Sequence, residues 1–122
     1  MYKYFEEREL TCRHCGKAGM NQYFMTSVET LRETVDFPFI ISSAYRCPDH
    51  PIEASKSSPG AHTSGRAMDI VCSGKNAHKL LQEAMKMGFS GIGVSQKGDS
   101  RFIHLDDLED SNERPRPWVW SY

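Results

Sequence analysis

The sequence predicts an α+β domain in which about two main helices pack on one side of a small antiparallel sheet, with a long loop over one end. Three observations predict it. Two stretches carry apolar residues at helical spacing, one early and one in the second half of the chain. Short runs rich in β-branched and aromatic residues lie between and after them. Residues 46–66, "RCPDHPIEASKSSPGAHTSGR", are dense in Pro, Ser and Gly and read as a loop long enough to be functional.

Taken in order, "MNQYFMTSVETLRETVDF" sets Phe24, Val28, Leu31 and Val35 on one helical stripe. "FPFIISSAY" follows as a short strand run with Pro38 near its start. After the loop, "AMDIVC" is the next strand. "NAHKLLQEAMKMGF" repeats the helical spacing with Ala77, Leu80, Leu81 and Ala84, with Asn76 as N-cap and Gly88 as the residue that ends it. "GIGVSQ" and "RFIHLD" are two strands joined by a turn at "KGDS". The tail "RPRPWVWSY" is extended by its prolines.

Composition limits the function. At 122 residues the chain is one domain, residues 1–122, with room for a single core. Fifteen basic residues against 16 acidic ones leave no basic surface to suggest nucleic acid as partner. No apolar run is long enough to span a membrane. "MYKYFEEREL" lacks the features of a secretory signal, so synthesis in the cytoplasm is expected, with action elsewhere only after release. A monomer is expected.

The chemistry concentrates in two strands. Alternation puts Asp69 on one face of "AMDIVC", and Phe102, His104 and Asp106 together on one face of "FIHLD". His62 stands seven positions before Asp69, at the mouth of the long loop. Ionisable groups inside apolar runs need hydrogen bonds, ion pairing or a metal to offset their burial. Two histidines and an aspartate, with a coordination position left for water, are a donor set for catalytic zinc.

"SAYRCP", "HTSGRAMDI", "GIGV" and "FIHLD", in this order and at these intervals, resemble zinc peptidases of bacterial peptidoglycan. These are the D-alanyl-D-alanine carboxypeptidases and L-alanyl-D-glutamate endopeptidases, whose fold hedgehog signalling domains share. The nearest likeness is to the compact single-domain branch found in phages and prophages, some of them endolysin-like. The resemblance implies one catalytic zinc on His62, Asp69 and His104, and an active-site arginine at Arg46. It implies peptidoglycan stem peptides as substrate, and a cell-wall site of action.

The sequence departs from the pattern at the general base. Relatives carry an acid three positions, or a histidine two positions, before the last zinc histidine; here stand Arg101 and Phe102. Asp106 is the substitute, either as the group that takes the proton from water or as one that orients a ligand histidine. Asp99 and Asp107 are lesser candidates. Gly60 replaces a usual serine. Trp118 and Trp120 resemble the aromatic end of the pattern, with Trp118 a candidate substrate wall.

Cys12-x-x-Cys15 and Cys47-x-x-His50 together offer four ligands for a second, structural metal; a disulfide to Cys47 in an oxidising space is the alternative. Cys72 is expected in the core. The rival to the hydrolase is a zinc-containing binding or phage structural module of the same fold, which the missing upstream base favours.

Overall fold

The computed structural model describes residues 2–56 and 60–122. Two 14-residue helices dominate, α2 (Gln22–Val35) and α4 (Gly74–Met87), with single turns α1 (Glu7–Leu10) and α3 (Pro51–Ala54). The strands are β1 (Ile40–Ser43), β2 (Ala67–Val71), β3 (Gly91–Ser95), β4 (Phe102–Asp106) and β5 (Trp118–Ser121), in the sheet order β1-β2-β4-β3-β5.

Asn21 starts α2 as expected of a short polar residue outside the helix, its side-chain oxygen accepting from the Tyr23 and Phe24 amides. Helix α4 starts earlier than its sequence suggests. Ser73 is the N-cap, and Asn76 lies within the first turn. Gly88 ends α4 in the left-handed region with φ 87°, donating to the Ala84 and Met85 carbonyls.

The apolar stripes of both helices meet one face of the sheet. Phe24, Val28 and Leu31 from α2, and Leu80 and Ala84 from α4, are fully buried with Met68, Ile70, Ile103 and Leu105. Strand alternation then sends Asp69, His104 and Asp106 to the opposite face. The helices thus occupy one side of the sheet and leave the other to the polar site.

The sheet is mixed rather than wholly antiparallel. β1–β2, β2–β4 and β4–β3 run antiparallel, whereas β5 lies parallel to β3 with Gly93 opposite Trp120. The chain reverses after β4 and passes over β3 to the edge, so β5 follows β3's direction. Residue alternation fixes which way side chains point and carries no record of which neighbour a strand will pair with.

The 46–66 segment contains α3 and a 3₁₀ turn, Ala61–Ser64, which bears His62. Residues 57–59, part of the expected loop, lie outside the described residues. Gly65 closes the 3₁₀ turn at φ 76°, and a Cβ there would overlap the Gly19 carbonyl oxygen. The Gly65 carbonyl also accepts the Asn21 amide at 2.8 Å, tying the turn to the start of α2. Gly65→Ala combines a left-handed backbone with a backbone clash. It should cost about 2 kcal/mol or more, roughly 10 °C in Tm by thermal unfolding. An unchanged Tm would refute this account of the turn.

Candidate metal centre and catalytic cleft

Asp69 on β2 faces His104 on β4 across directly paired positions. Side chains of opposed residues share a face and stand close enough to bond. His104 Nδ1 lies 3.0 Å from Asp69 Oδ1, and His62 Nε2 lies 3.3 Å from the same oxygen. All three residues are buried, and their ligand atoms lie within 4.8 Å of one another.

The protons on the two rings are set by their other partners. His62 Nδ1 stands 2.7 Å from the Ala44 carbonyl, which can only accept, so this nitrogen holds the proton and Nε2 turns a lone pair inward. His104 Nε2 stands 2.7 Å from Asp106 Oδ2 and donates to it. A second proton or a cation must then lie between His104 Nδ1 and Asp69. The donor set suits a cation. Ligand atoms around a tetrahedral zinc stand about 3.3 Å apart for bonds of about 2.0–2.1 Å, and the contacts to Asp69 Oδ1 fall beside that value.

Burial alone would raise the Asp69 pKa, yet the His104 and His62 rings beside it outweigh it and hold the carboxyl well below the usual range. For His104, burial disfavours the charged ring, but Asp106 and Asp69 on its two sides raise its pKa on balance. A ring bracketed by carboxylates is an electron-rich ligand.

Asp106 does not have the placement of a general base. It is fully buried, on the Nε2 side of His104 and away from the point where the ligand atoms converge. Arg116 donates to both its oxygens, Nε to Oδ1 at 2.9 Å and Nη2 to Oδ2 at 2.8 Å, and the Leu108 amide adds a third donor. With His104 these occupy a carboxylate's acceptor capacity. Of the two roles open to Asp106, the geometry fits the one that orients His104. Burial opposes its ionisation, but His104 and Arg116 together hold its pKa well below the usual range. Asp107, a lesser candidate, is paired with Arg66 at 2.8 Å.

The glycines of "GIGV" make room for this arrangement. A Cβ on Gly91 would overlap the Asp106 carboxylate, and one on Gly93 would overlap the Trp120 indole. Trp120, not Trp118, walls the cleft. Its ring centroid is 5.0 Å from that of His104, and the Arg116 guanidinium sits 5.2 Å over it. Trp118 is 53% exposed and lines a separate groove with Met85, Phe89 and Pro117.

Arg46 reaches the same cleft, a space of about 300 Å³. Its Nε donates to Ser43 Oγ at 3.1 Å, its Nη1 to Glu53 Oε2 at 3.2 Å, and its Nη2 stands 3.9 Å from Asp69 Oδ2. The spacing of "SAYR" thereby gains a physical reason: the serine three residues earlier steadies the guanidinium. Glu53 is buried and was not singled out from the sequence. Burial pushes its pKa up, but the Gly60 amide at 2.7 Å, Lys56 at 3.1 Å and Arg46 outweigh that and bring it to about 2. Nothing in "PIEASK" signals a buried carboxylate; only the fold brings its partners together. Gly60, which replaces the usual serine, is one of them. Tyr122 also lines the cleft and likewise carried no sequence signal.

Of the four residues proposed for a second metal, Cys12, Cys15 and Cys47 converge, with ligand atoms within 4.8 Å. His50 stands outside the group as the N-cap of α3, its Nδ1 accepting the Ile52 amide at 3.1 Å. That bond leaves the ring proton on Nε2, which removes the lone pair a metal would need. Cys72 is buried apart from these, and burial pushes its thiol up to about 11.

The model of one family, described as Peptidase M15, matches residues 3–106. No individual curated protein matches significantly.

Two outcomes test the geometry. Asp106→Asn keeps the shape but loses the charge that orients His104, and should weaken zinc binding about 10- to 100-fold in competition with a chromophoric chelator. Glu53→Gln should destabilise the fold by about 3 kcal/mol at neutral pH, because it breaks a buried ion cluster. Since the folded pKa of Glu53 is depressed, its contribution is whole above its ordinary value of 4.5 and fades as pH falls towards about 2. Urea titrations of parent and variant should therefore converge across that interval. A gap independent of pH would contradict the assignment.

Proposed function

The chain belongs to the peptidase M15 family, whose members are zinc enzymes, and from that premise we propose that it hydrolyses peptide bonds in bacterial peptidoglycan stems. In this reading His62, Asp69 and His104 hold the ion. When bound, zinc supplies Lewis-acid chemistry that makes water nucleophilic near neutral pH and polarises a carbonyl.

The observation that carries the reading is Arg46, a guanidinium anchored by Ser43 and Glu53 with one arm beside Asp69. So held, it can grip a terminal carboxylate in two-pronged fashion or stabilise charge growing on the scissile carbonyl oxygen. Charge balance supports an anionic substrate. Glu53, Asp69 and Asp106 are offset by Arg46, Lys56 and Arg116, so a divalent ion would leave the cleft positive. Stem peptides are short, rich in alanine and end in a carboxylate. Trp120 and Phe102 offer flat apolar walls of a size for methyl groups.

Proton traffic differs from the expectation for Asp106. Among the described residues lining the cleft, Asp69 is the sole carboxylate. Tyr122 is the neutral hydroxyl there; it is 63% exposed, and partial loss of solvent on its cleft side raises its pKa. It therefore keeps its proton at neutral pH and suits donation to the leaving amine.

The lack of a free carboxylate among those lining residues also favours a second reading, a zinc module of this fold that binds cell-wall peptide without cutting it. Incubation with purified peptidoglycan, followed by mass spectrometry of muropeptides, separates the two. Hydrolysis predicts new amine termini from the zinc-loaded parent. His62→Ala and Asp69→Ala should lose both zinc and turnover. Arg46→Ala should keep the metal and lose turnover about 10²- to 10³-fold. A zinc-loaded parent that binds peptidoglycan and releases nothing would favour the module.

A further inference from the structure

The three converging thiols belong to two segments far apart in sequence, and neither the cleft nor the hydrolytic chemistry uses them. Cys12 and Cys15 sit on a tight turn after α1, closed by Gly16 N donating to Cys12 O at 2.8 Å and Cys12 N donating to Lys17 O at 2.9 Å. Gly16 completes it at φ 74°. Cys47 comes from the turn that follows Arg46, and its amide donates to Cys12 Sγ at 3.3 Å. An amide aimed at sulfur stabilises the thiolate over the thiol, since the bond becomes charge-assisted.

Sulfur atoms around a tetrahedral zinc stand about 3.8 Å apart for bonds of about 2.3 Å. The ligand atoms of this trio lie within 4.8 Å of one another, so small side-chain rotations bring them to that spacing. Cys12 and Cys47 are buried and Cys15 is exposed, so the trio lies at the protein surface, where water can complete a fourth ligand. Soft thiolates select zinc over the hard cations that suit oxygen ligands.

We propose that Cys12, Cys15 and Cys47 form a second zinc site, structural in role, which clamps the N-terminal turn to the segment carrying Arg46. The consequence reaches the cleft through one residue. Arg46 precedes Cys47, and its amide donates to the His62 carbonyl at 3.3 Å. The clamp thus fixes the backbone from which the guanidinium extends. The proposal is independent of the hydrolytic reading, because the ligands and the readout are separate from the His62–Asp69–His104 centre.

Cobalt substitution distinguishes the two sites. Thiolate ligation gives Co²⁺ strong near-ultraviolet charge-transfer absorption, which a centre of two imidazoles and a carboxylate does not give. After zinc removal under reducing conditions and reloading with Co²⁺, the parent and His62→Ala should both show these bands. Cys15→Ser should lose most of their intensity. Cys15 is exposed, so this serine removes a ligand without disturbing the core, and circular dichroism checks that the fold is kept. As purified, the parent should carry about two zinc ions per chain, and Cys15→Ser and His62→Ala about one each. The absence of charge-transfer bands in a parent whose thiols all titrate as reduced would overturn the site. So would bands unaltered in Cys15→Ser, or a native disulfide among the three cysteines.

Discussion

The pairing of Asp69 with His104 across β2 and β4 governs the position of everything else in the cleft. An ionised carboxylate that faces imidazole nitrogens at 3.0 and 3.3 Å is tolerated only with a proton or a cation between them. His104 can meet it with the correct nitrogen only if its other nitrogen is committed, and Asp106 commits it. Asp106 in turn is bearable only because Arg116 grips both its oxygens. The result is a buried row of alternating charge whose members cannot be exchanged singly, since removal of any one strands its neighbour. The row needs space as well as partners, and the bare backbones of Gly91 and Gly93 supply it.

A second cluster, around Glu53, organises the other wall. It joins Arg46, Lys56 and the Gly60 amide, so a carboxylate from α3 holds both a cleft guanidinium and the approach to the 3₁₀ turn bearing His62. The strands fix Asp69 and His104, and the loop supplies both His62 and the side on which a substrate would lie. Arg46 Nη2 and Asp69 Oδ2, 3.9 Å apart, are where the two clusters touch. Two of the three ligands thus rest on sheet backbone, and the third, His62, on the loop that also carries Arg46 and Glu53.

Much of this was legible in the sequence because it depends on periodicity. The two helical stripes, the strands at "AMDIVC" and "FIHLD", and the common face of His104 and Asp106 all follow from local spacing. Relations fixed by tertiary placement were not legible. The role of Asp106 depends on Arg116, ten residues onward in a tail with no periodic signal. Trp118 and Trp120 are equivalent by alternation, and only the parallel docking of β5 on β3 sets Trp120 against His104. His50 has a zinc-ligand spacing from Cys47, but its Nδ1 is taken by the start of a four-residue helix. Glu53 looks like any surface glutamate until Gly60, Lys56 and Arg46 surround it.

The arrangement also explains why proton transfer and ligand orientation have to be separate tasks here. A carboxylate that orients a ligand histidine works by being fully bonded and dry, which removes it from exchange with solvent. A proton carrier needs the opposite: access to the cleft and an unfilled bonding position. Asp106 and Glu53 meet the first description, with several donors each and pKa values held down by those donors. Tyr122 meets the second, lining the cleft near Arg46 and Asp69 while 63% exposed, its hydroxyl protonated at neutral pH. A phenol of that kind gives up a proton only to a strong base, and an amine leaving a cleaved peptide bond is one. In the proposed reaction Tyr122 would assist departure of the amine, while the cation that Asp69 and the two imidazoles would hold would acidify water, whose proton would pass to solvent.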